Sequence, residues 1–148
     1  MIRAAALMAL ILVVAAGATA QPRCAPTPRD AEGPFYKAGA PRREATGRGF
    51  LVSGVVRSAA TCQPIPGARV EWWQANPQGV YDDAHRGAQQ ADASGGYGFE
   101  TNFPPPYAGR PSHIHMKAFA PGHRTLTTQL YPTAGQSRAT FDLVLVKE

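Results

Sequence analysis

The sequence predicts an all-β fold class, a single antiparallel β-sandwich domain. Fifteen glycines and fourteen prolines are spread along the 148-residue chain, and they leave few gaps in which a long helix could fit. The apolar segments between them are short and rich in β-branched and aromatic residues, a composition that favours strands. Several short strands separated by turn residues are typical of a sandwich.

Six segments are predicted as strands. In chain order they are FLVSGVVR (Phe50–Arg57), ARVEWWQ (Ala68–Gln74), YGFET (Tyr97–Thr101), HIHMKAFA (His113–Ala120), TLTTQLY (Thr125–Tyr131) and TFDLVLV (Thr140–Val146). Val, Leu and Trp dominate the first, second and last segments, whereas Thr and Leu dominate the fifth. The third follows a Gly-Gly turn, and the fourth lies between a proline-rich loop and a Pro-Gly turn.

The first twenty residues are predicted to be a secretory signal peptide. Arg3 supplies a positive charge, Ala4–Gly17 is apolar and uncharged, and Ala18–Ala20 offers small residues for cleavage at its end. The apolar run is shorter than the roughly 20 residues that span a bilayer, which disfavours the alternative of an uncleaved anchor. We therefore expect one domain over residues 21–148, no stable membrane insertion after cleavage, and an exported, periplasmic or secreted protein.

Residues 21–49 are predicted to form an irregular N-terminal arm that packs against the sandwich. Cys24 in this arm and Cys62 in a loop could form one disulfide in an oxidising compartment. Such a bond would pin the start of the arm to the loop around Cys62. Two unpaired thiols are the alternative.

The charge pattern does not indicate a nucleic-acid-binding protein. The formal net charge is +5, but Arg42-Arg43 is the only adjacent basic pair and the chain has no Lys/Arg run. Scattered arginines on a solvated surface account for this charge, and a mild attraction to anionic small molecules stays open.

The strongest chemical signal is the pair of histidines in RPSHIH (110–115). If residues 113–120 form a strand, His113 and His115 lie on one face, together with Lys117 and Phe119. Two imidazoles on one face can reach one metal ion. Because no carboxylate or cysteine stands beside them, a structural zinc site is not expected.

Two tyrosines extend the metal hypothesis. Tyr81 follows a predicted strand and turn, and Tyr107 lies in a loop stiffened by prolines, the kind of segment that holds a side chain at low entropic cost. A phenol ionises near pH 10, so its use as a ligand at neutral pH requires a strongly Lewis-acidic ion such as Fe³⁺.

Five motifs, in the same order, make the sequence recognisable. They are EGPFYKAGAPRR (32–43), GVV…PIPGARVEWWQANPQGVYDD (54–83), GGYGFET (95–101), RPSHIH (110–115) and LTTQLY (126–131). On these motifs the chain resembles the intradiol ring-cleavage dioxygenases, the catechol and protocatechuate dioxygenase family. RPSHIH followed by TTQLY is the most specific part of the resemblance.

The resemblance implies a non-haem Fe(III) enzyme. Tyr81, Tyr107, His113 and His115 would hold the ferric ion, and Tyr107 would be the axial ligand that the substrate displaces. A small aromatic diol of the catechol type would bind through both oxygens, and O₂ would cleave its ring to a cis,cis-muconate-type diacid.

The resemblance also assigns roles around the metal. Arg110 and Gln129 match the catalytic pair beside the substrate, where a guanidinium could stabilise developing charge. Pro34, Phe35 and Arg110 would contact the substrate. The alternatives are a surface ion pair for Arg110, an ordinary strand position for Gln129, and plain packing of the arm for Pro34 and Phe35.

Two departures from the family pattern leave the substrate and a homo-oligomer open. The chain shows no counterpart of the N-terminal helical dimerisation region, and Ala108-Gly109 stands where protocatechuate enzymes carry a bulky aromatic residue. The competing hypothesis is a non-enzymatic, prealbumin-like β-sandwich module that binds carbohydrate, or that binds zinc or copper through His113 and His115. That hypothesis gives Tyr81 and Tyr107 no role.

Overall fold

The computed structural model describes residues 24–148, so the expected signal peptide lies outside the described residues. Within this range the chain forms eight strands and no helix. They are β1 (Phe50–Ser58), β2 (Arg69–Ala75), β3 (Tyr81–Gln90), β4 (Gly96–Thr101), β5 (Ile114–Phe119), β6 (Leu126–Leu130), β7 (Arg138–Thr140) and β8 (Leu143–Leu145). No helix long and apolar enough to cross a bilayer occurs between residues 24 and 148.

Two four-stranded sheets form the sandwich, which confirms the predicted all-β class. The first sheet has the order β3-β2-β5-β6, and all its pairs are antiparallel. The second has the order β4-β1-β7, with β8 also paired to β1. Both β7 and β8 run parallel to β1, so the prediction of a purely antiparallel sandwich was wrong for this sheet. The chain reaches β7 after leaving the other sheet, and such a crossover permits parallel pairing where a hairpin does not.

The strand predictions failed in two places. β3 was missed because YDDAHRGAQQ lies at a sheet edge and buries only Gly87 and Ala88, so it shows no apolar alternation. The last predicted strand divides into β7 and β8. At the break, Val55 donates its N–H to the Asp142 carboxylate (2.9 Å) rather than to a backbone carbonyl, which interrupts the ladder.

The core lies between the two sheets and is apolar. Trp72 stacks on Phe99 across it, with ring centroids 4.0 Å apart, and the Trp72 Nε1–H donates to Thr46 Oγ1 at 2.9 Å. Ile114 and Met116 of β5 are fully buried beside them. Each such side chain contributes about 1.5–3 kcal/mol through burial, so this layer fixes how the two sheets meet.

The N-terminal arm, here residues 24–49, contains no strand, but it makes backbone hydrogen bonds to both sheets. Asp30 N–H donates to Thr127 O (2.9 Å), Ala88 N–H donates to Pro41 O (2.9 Å), and Thr46 N–H donates to Glu100 O (2.8 Å). The sulfur atoms of Cys24 and Cys62 are bonded, with their Cα atoms 5.1 Å apart. The arm therefore crosses the outer face of the first sheet.

Candidate metal centre

The outer face of the first sheet carries the predicted histidines. In β5, Ile114 and Met116 point into the core, whereas His115 lies on the opposite face and pairs in register with Trp73 of β2. His113 immediately precedes the strand. Both histidines are only 2% exposed, because the arm and the neighbouring loops cover this face. The predicted division of faces along this strand agrees with the structure.

Tyr81 closes the histidine pair into a three-residue cluster. Its Oη lies 3.1 Å from His113 Nε2 and 3.2 Å from His115 Nε2. Tyr81 begins β3, and the register shift between Trp73 and Ala75 of β2 brings it alongside Ala75. Three polar atoms from distant parts of the sequence therefore converge on one point.

Backbone and aromatic contacts orient the two imidazoles. His113 Nδ1–H donates to Pro111 O at 2.7 Å, which leaves the lone pair on Nε2 directed at Tyr81. The His115 ring stacks on Trp73, with centroids 5.0 Å apart and planes 7° apart. Gly33 of the arm lies against His115, and a Cβ at this position would come within 3.2 Å of His115 Cε1. A side chain at position 33 would therefore crowd the His115 ring.

Burial sets the protonation of these groups. It lowers the pKa of His115 to about 4, with the nearby His113 contributing in the same direction. It raises the pKa of Tyr81 to about 12. At neutral pH the imidazole of His115 is neutral and can act as a ligand, but the phenol keeps its proton unless a cation lies beside it. This donor set fits a hard, strongly Lewis-acidic cation.

Tyr107, the fourth predicted ligand, lies beside the cluster on a tight turn. Tyr107 and Arg110 exchange backbone hydrogen bonds of 2.8 and 3.2 Å across Ala108 and Gly109, which have φ angles of 48° and 75°. The Tyr107 ring meets the Tyr81 ring edge to face, with centroids 5.1 Å apart. Among residues 24–148, no group of three or more His, Cys, Asp and Glu side chains is arranged to hold a metal ion. The candidate centre instead combines histidine and tyrosine side chains.

The predicted substrate-contact residues lie at the mouth of this cluster. Phe35 stacks on Tyr81, with centroids 4.3 Å apart, and meets Tyr107 edge to face at 5.7 Å. It remains 36% exposed, so one side of its ring faces solvent. Pro34 and Phe35 line a small cleft of about 110 Å³ together with Tyr81 and Trp73.

Arg110 and Gln129 interact as a pair beside the histidines. Arg110 donates from Nη2 to Gln129 Oε1 at 2.7 Å, and Gln129 donates from Nε2 to the Ala31 carbonyl at 2.7 Å. The β5–β6 register places Gln129 opposite His115. Within residues 24–148 Arg110 forms no salt bridge, so the surface ion pair considered as its alternative role is absent from this part of the chain.

The sequence analysis missed two residues next to this pair, Tyr131 and Asp30. Arg110 Nη2 also donates to Tyr131 Oη at 3.0 Å, and Tyr131 Oη donates to Asp30 Oδ2 at 2.8 Å. Tyr131 could have been found, because it follows Gln129 by two residues in an extended segment. Asp30 carried no such signal, because the arm has no periodic structure.

A second polar cluster attaches the arm to the same face. Lys117 forms an ion pair with Glu32 and lies 3.9 Å from the centroid of the Tyr36 ring. Tyr36 Oη donates to Glu71 Oε2 at 3.0 Å, and Arg69 Nε donates to Glu71 Oε1 at 2.7 Å. Burial, reinforced by Glu71, raises the pKa of Tyr36 to about 12, so this phenol remains a donor at neutral pH. These contacts fix the segment that carries Phe35.

The chain is thus a β-sandwich protein with a buried cluster of Tyr81, His113 and His115 on the outer face of its first sheet, beside Tyr107. A family model named Dioxygenase_C, described as Dioxygenase, matches residues 31–144, a range that includes Tyr81, Tyr107, His113 and His115. The chain belongs to the intradiol ring-cleavage dioxygenase family.

Named relatives and solved structures agree with this assignment. A catechol 1,2-dioxygenase of Acinetobacter baylyi is 34% identical, over 70% of this chain and 45% of its own. A hydroxyquinol 1,2-dioxygenase of Nocardioides simplex is 34% identical, over 67% of this chain and 45% of its own. The dioxygenase domain of a dioxygenase–carbohydrate-binding fusion from Streptomyces sp. SirexAA-E superimposes with a TM-score of 0.75 at 35% identity, over 84% of this chain and all of that domain. The chain spans about half the length of the curated relatives it matches.

Proposed function

We propose that this protein is a non-haem Fe(III) intradiol dioxygenase that uses O₂ to cleave a catechol-type ring to a cis,cis-muconate-type diacid. One observation carries the proposal: Tyr81 Oη lies 3.1 and 3.2 Å from the Nε2 atoms of His113 and His115 on a buried sheet face. A non-enzymatic sandwich does not need a phenol at that point. Membership of the dioxygenase family and the names of the catechol and hydroxyquinol relatives support the same activity.

The ligand set proposed for the ferric ion is Tyr81, Tyr107, His113 and His115. When bound, a ferric ion would supply the Lewis acidity that lets phenols and diols ionise at neutral pH, and a redox centre for reaction with O₂. The neutral imidazoles offer nitrogen lone pairs, and the phenol of Tyr81 is poised for ionisation only beside a cation. Zinc sites are built from other donors, chiefly thiolates, imidazoles and carboxylates.

The residues around the ligands have separable tasks. Phe35 offers an aromatic face at the mouth, where a planar diol can pack against it. Arg110, held by Gln129, directs a guanidinium towards the negative charge that develops on the ionised diol. Tyr107 stands on a two-residue turn at the rim, and as a phenolate, the form that a bound ferric ion would stabilise, it would accept a proton from the incoming diol.

Export to the periplasm or the exterior is part of the proposal. The bonded Cys24–Cys62 pair supports it, because disulfides persist in oxidising compartments. Edman sequencing of the protein recovered outside the cytoplasm should begin at Gln21. A protein that keeps its first twenty residues and remains in the cytoplasm would contradict this part of the proposal.

The experiment that tests the activity is iron loading of residues 21–148, followed by visible spectroscopy and O₂ uptake. Tyrosinate-to-iron charge transfer should colour the protein, and catechol, protocatechuate or hydroxyquinol should drive O₂ consumption. Tyr81→Phe should bleach or shift the band and abolish uptake. The matched control is Tyr97→Phe, since the Tyr97 hydroxyl bonds to Phe141 O in the other sheet.

The two outcomes are distinct. Colour and O₂ uptake that depend on Tyr81 but not on Tyr97 would support the dioxygenase. A colourless iron-loaded protein that consumes no oxygen with any of the three diols would favour the binding module instead.

A further inference from the structure

We propose that Asp30 and Tyr131 are positioning residues that fix the Arg110 guanidinium beside the metal centre. The inference rests on the proposed function, because it assigns Arg110 a task in the reaction. It adds a carboxylate from the N-terminal arm to a site whose other parts come from the sheet and its loops.

The geometry around the guanidinium gives the first argument. Nη2 of Arg110 donates to two acceptors, Gln129 Oε1 at 2.7 Å and Tyr131 Oη at 3.0 Å. A phenol oxygen carries one proton, and it can accept from Arg110 only with that proton directed elsewhere. Tyr131 therefore needs an acceptor of its own.

Asp30 supplies this acceptor. Tyr131 Oη lies 2.8 Å from Asp30 Oδ2 and 3.1 Å from Gln129 Oε1, so two oxygens compete for its proton. The ionised carboxylate is the stronger acceptor and is also nearer. When the Tyr131 hydroxyl donates to Asp30, Gln129 Oε1 is left free to accept from Arg110. Without the carboxylate, the phenol proton would turn to Gln129 Oε1 and compete with the guanidinium.

The carboxylate is itself held in place. Asp30 Oδ1 accepts the Ala31 N–H at 2.6 Å, and the Asp30 N–H donates to Thr127 O of β6 at 2.9 Å. Gln129 Nε2 lies 3.4 Å from the same Oδ1. These contacts attach Asp30 to β6, the strand that carries Gln129. The carboxylate is therefore held in place and does not move as part of a free loop.

The connection from Asp30 to Arg110 runs through the Tyr131 hydroxyl, and it leaves the charge of Arg110 unpaired among the described residues. Within residues 24–148 neither Arg110 nor Asp30 belongs to a salt bridge. A carboxylate bonded directly to the guanidinium would neutralise it, whereas a neutral phenol between them sets its direction and leaves its positive charge to the site. The Tyr131 ring lies 6.2 Å from the His113 ring, between centroids, so the arrangement borders the ligand set.

Packing does not explain these two residues. Tyr131 is 44% exposed and Asp30 is also exposed, and exposed polar pairs contribute little to stability. The orientation of Arg110 is the consequence that the contacts do support.

The kinetic test compares the same substitutions in the wild-type enzyme and in an Arg110→Lys enzyme. Asp30→Asn and Tyr131→Phe should each lower kcat for O₂ uptake about tenfold, with a smaller change in KM. The same changes should have no further effect in an Arg110→Lys enzyme, because residues that act as a unit are not additive. Asp30→Glu should recover part of the rate, and the iron content and charge-transfer band should stay as in the wild type.

Two matched controls replace the same groups elsewhere. Asp142 accepts the Val55 N–H at 2.9 Å with an exposed carboxylate, and Tyr97 uses its hydroxyl in the second sheet. Asp142→Asn and Tyr97→Phe should keep the wild-type kcat. Equal losses from Asp30→Asn in the wild-type and Arg110→Lys backgrounds, or no loss in either, would overturn the inference.

A measurement on the iron-free protein separates this inference from the proposed function. In ¹⁵N NMR spectra, Asp30→Asn and Tyr131→Phe should shift the Arg110 Nε–Hε signal, and Asp142→Asn should leave it in place. If the wild-type protein takes up no O₂ but the two variants shift the Arg110 signal, the proposed function is wrong and the positioning of Arg110 still holds. If the wild-type protein is active but the Arg110 signal is unchanged in both variants, the inference is overturned and the proposed function is not.

Discussion

The two faces of the first sheet are built by neighbouring residues and are equally buried. One face is apolar, and the other carries polar side chains. Trp72 and Ile114 face the core, whereas Trp73 and His115 face outward, and all four are less than 5% exposed. The inner face is covered by the second sheet, and the outer face is covered by the N-terminal arm. The covering layer, rather than the strand, therefore decides whether a buried position is available for packing or for chemistry.

The two coverings obey different physical requirements. An apolar face needs only volume and shape from its partner. A buried polar face needs partners for its donors and acceptors, and the arm provides several of them through Asp30, Ala31, Glu32 and Tyr36, although Trp73 Nε1 has no partner within residues 24–148. We expect changes on the inner face to reduce stability, and changes on the outer face to reduce iron binding or the order of the arm.

The largest effect should come from removing one of the proposed iron ligands on the outer face. His113→Ala should reduce iron content to background and abolish O₂ uptake while the far-UV circular dichroism stays unchanged, because the strands do not depend on this imidazole. His123→Ala is the control, since that ring bonds to Ser58 Oγ at 2.9 Å, outside the His–Tyr cluster. Full iron content in His113→Ala would contradict the ligand assignment.

The next effect concerns adjacent tryptophans on opposite faces. Trp72→Phe should lower the free energy of unfolding by about 2 kcal/mol, since it leaves a cavity and deprives Thr46 of a donor. Trp73→Phe should cost less than about 1 kcal/mol, because the buried Trp73 Nε1 has no partner within residues 24–148. Urea unfolding of the iron-free variants measures both. Equal losses would show that the two faces contribute alike.

A smaller effect is expected where the arm attaches to the outer face. Lys117→Met should lower the free energy of unfolding by about 1 kcal/mol, a value kept small because Glu32 is partly solvated. Proteolysis of the arm between residues 32 and 43 should also accelerate. Lys37→Met is the matched control, because its ion pair with Asp83 is exposed and should contribute nothing measurable to stability. An arm that stays equally protected in Lys117→Met would show that this contact does not hold it.

The smallest effect depends on pH. The Ala31 N–H, followed by the Tyr131 hydroxyl, holds the pKa of Asp30 below its ordinary value of 3.8. Because the folded-state pKa is the lower one, the carboxylate stabilises the folded protein above about pH 4, and this contribution is lost as the pH falls through the folded-state pKa. The urea midpoints of wild type and Asp30→Asn should therefore differ at about pH 6 and converge as the pH falls below the folded-state pKa of Asp30. A constant difference across this range would contradict the shift.

The sequence predicted the central strands of the first sheet better than its edge strand β3 and the N-terminal arm that covers it. Alternation in HIHMKAFA placed His113 and His115 on one face, and residue chemistry indicated Tyr81 as their partner. β3 was missed because an edge strand with polar side chains lacks apolar periodicity. Asp30 was missed because its role depends on contacts with residues about a hundred positions away, such as Tyr131, which no local pattern encodes.

The arm's long-range contacts also set the order in which this site can be assembled. Thr27 bonds with Val144, Asp30 with Tyr131 and Glu32 with Lys117, so several of its partners come from residues 117–144. Contacts of such sequence separation close late, after the loop entropy between them has been offset by other structure. A nascent chain therefore exposes His113 and His115 before the arm can enclose them, and the enclosed cluster forms only after the segment up to Val144 has been made.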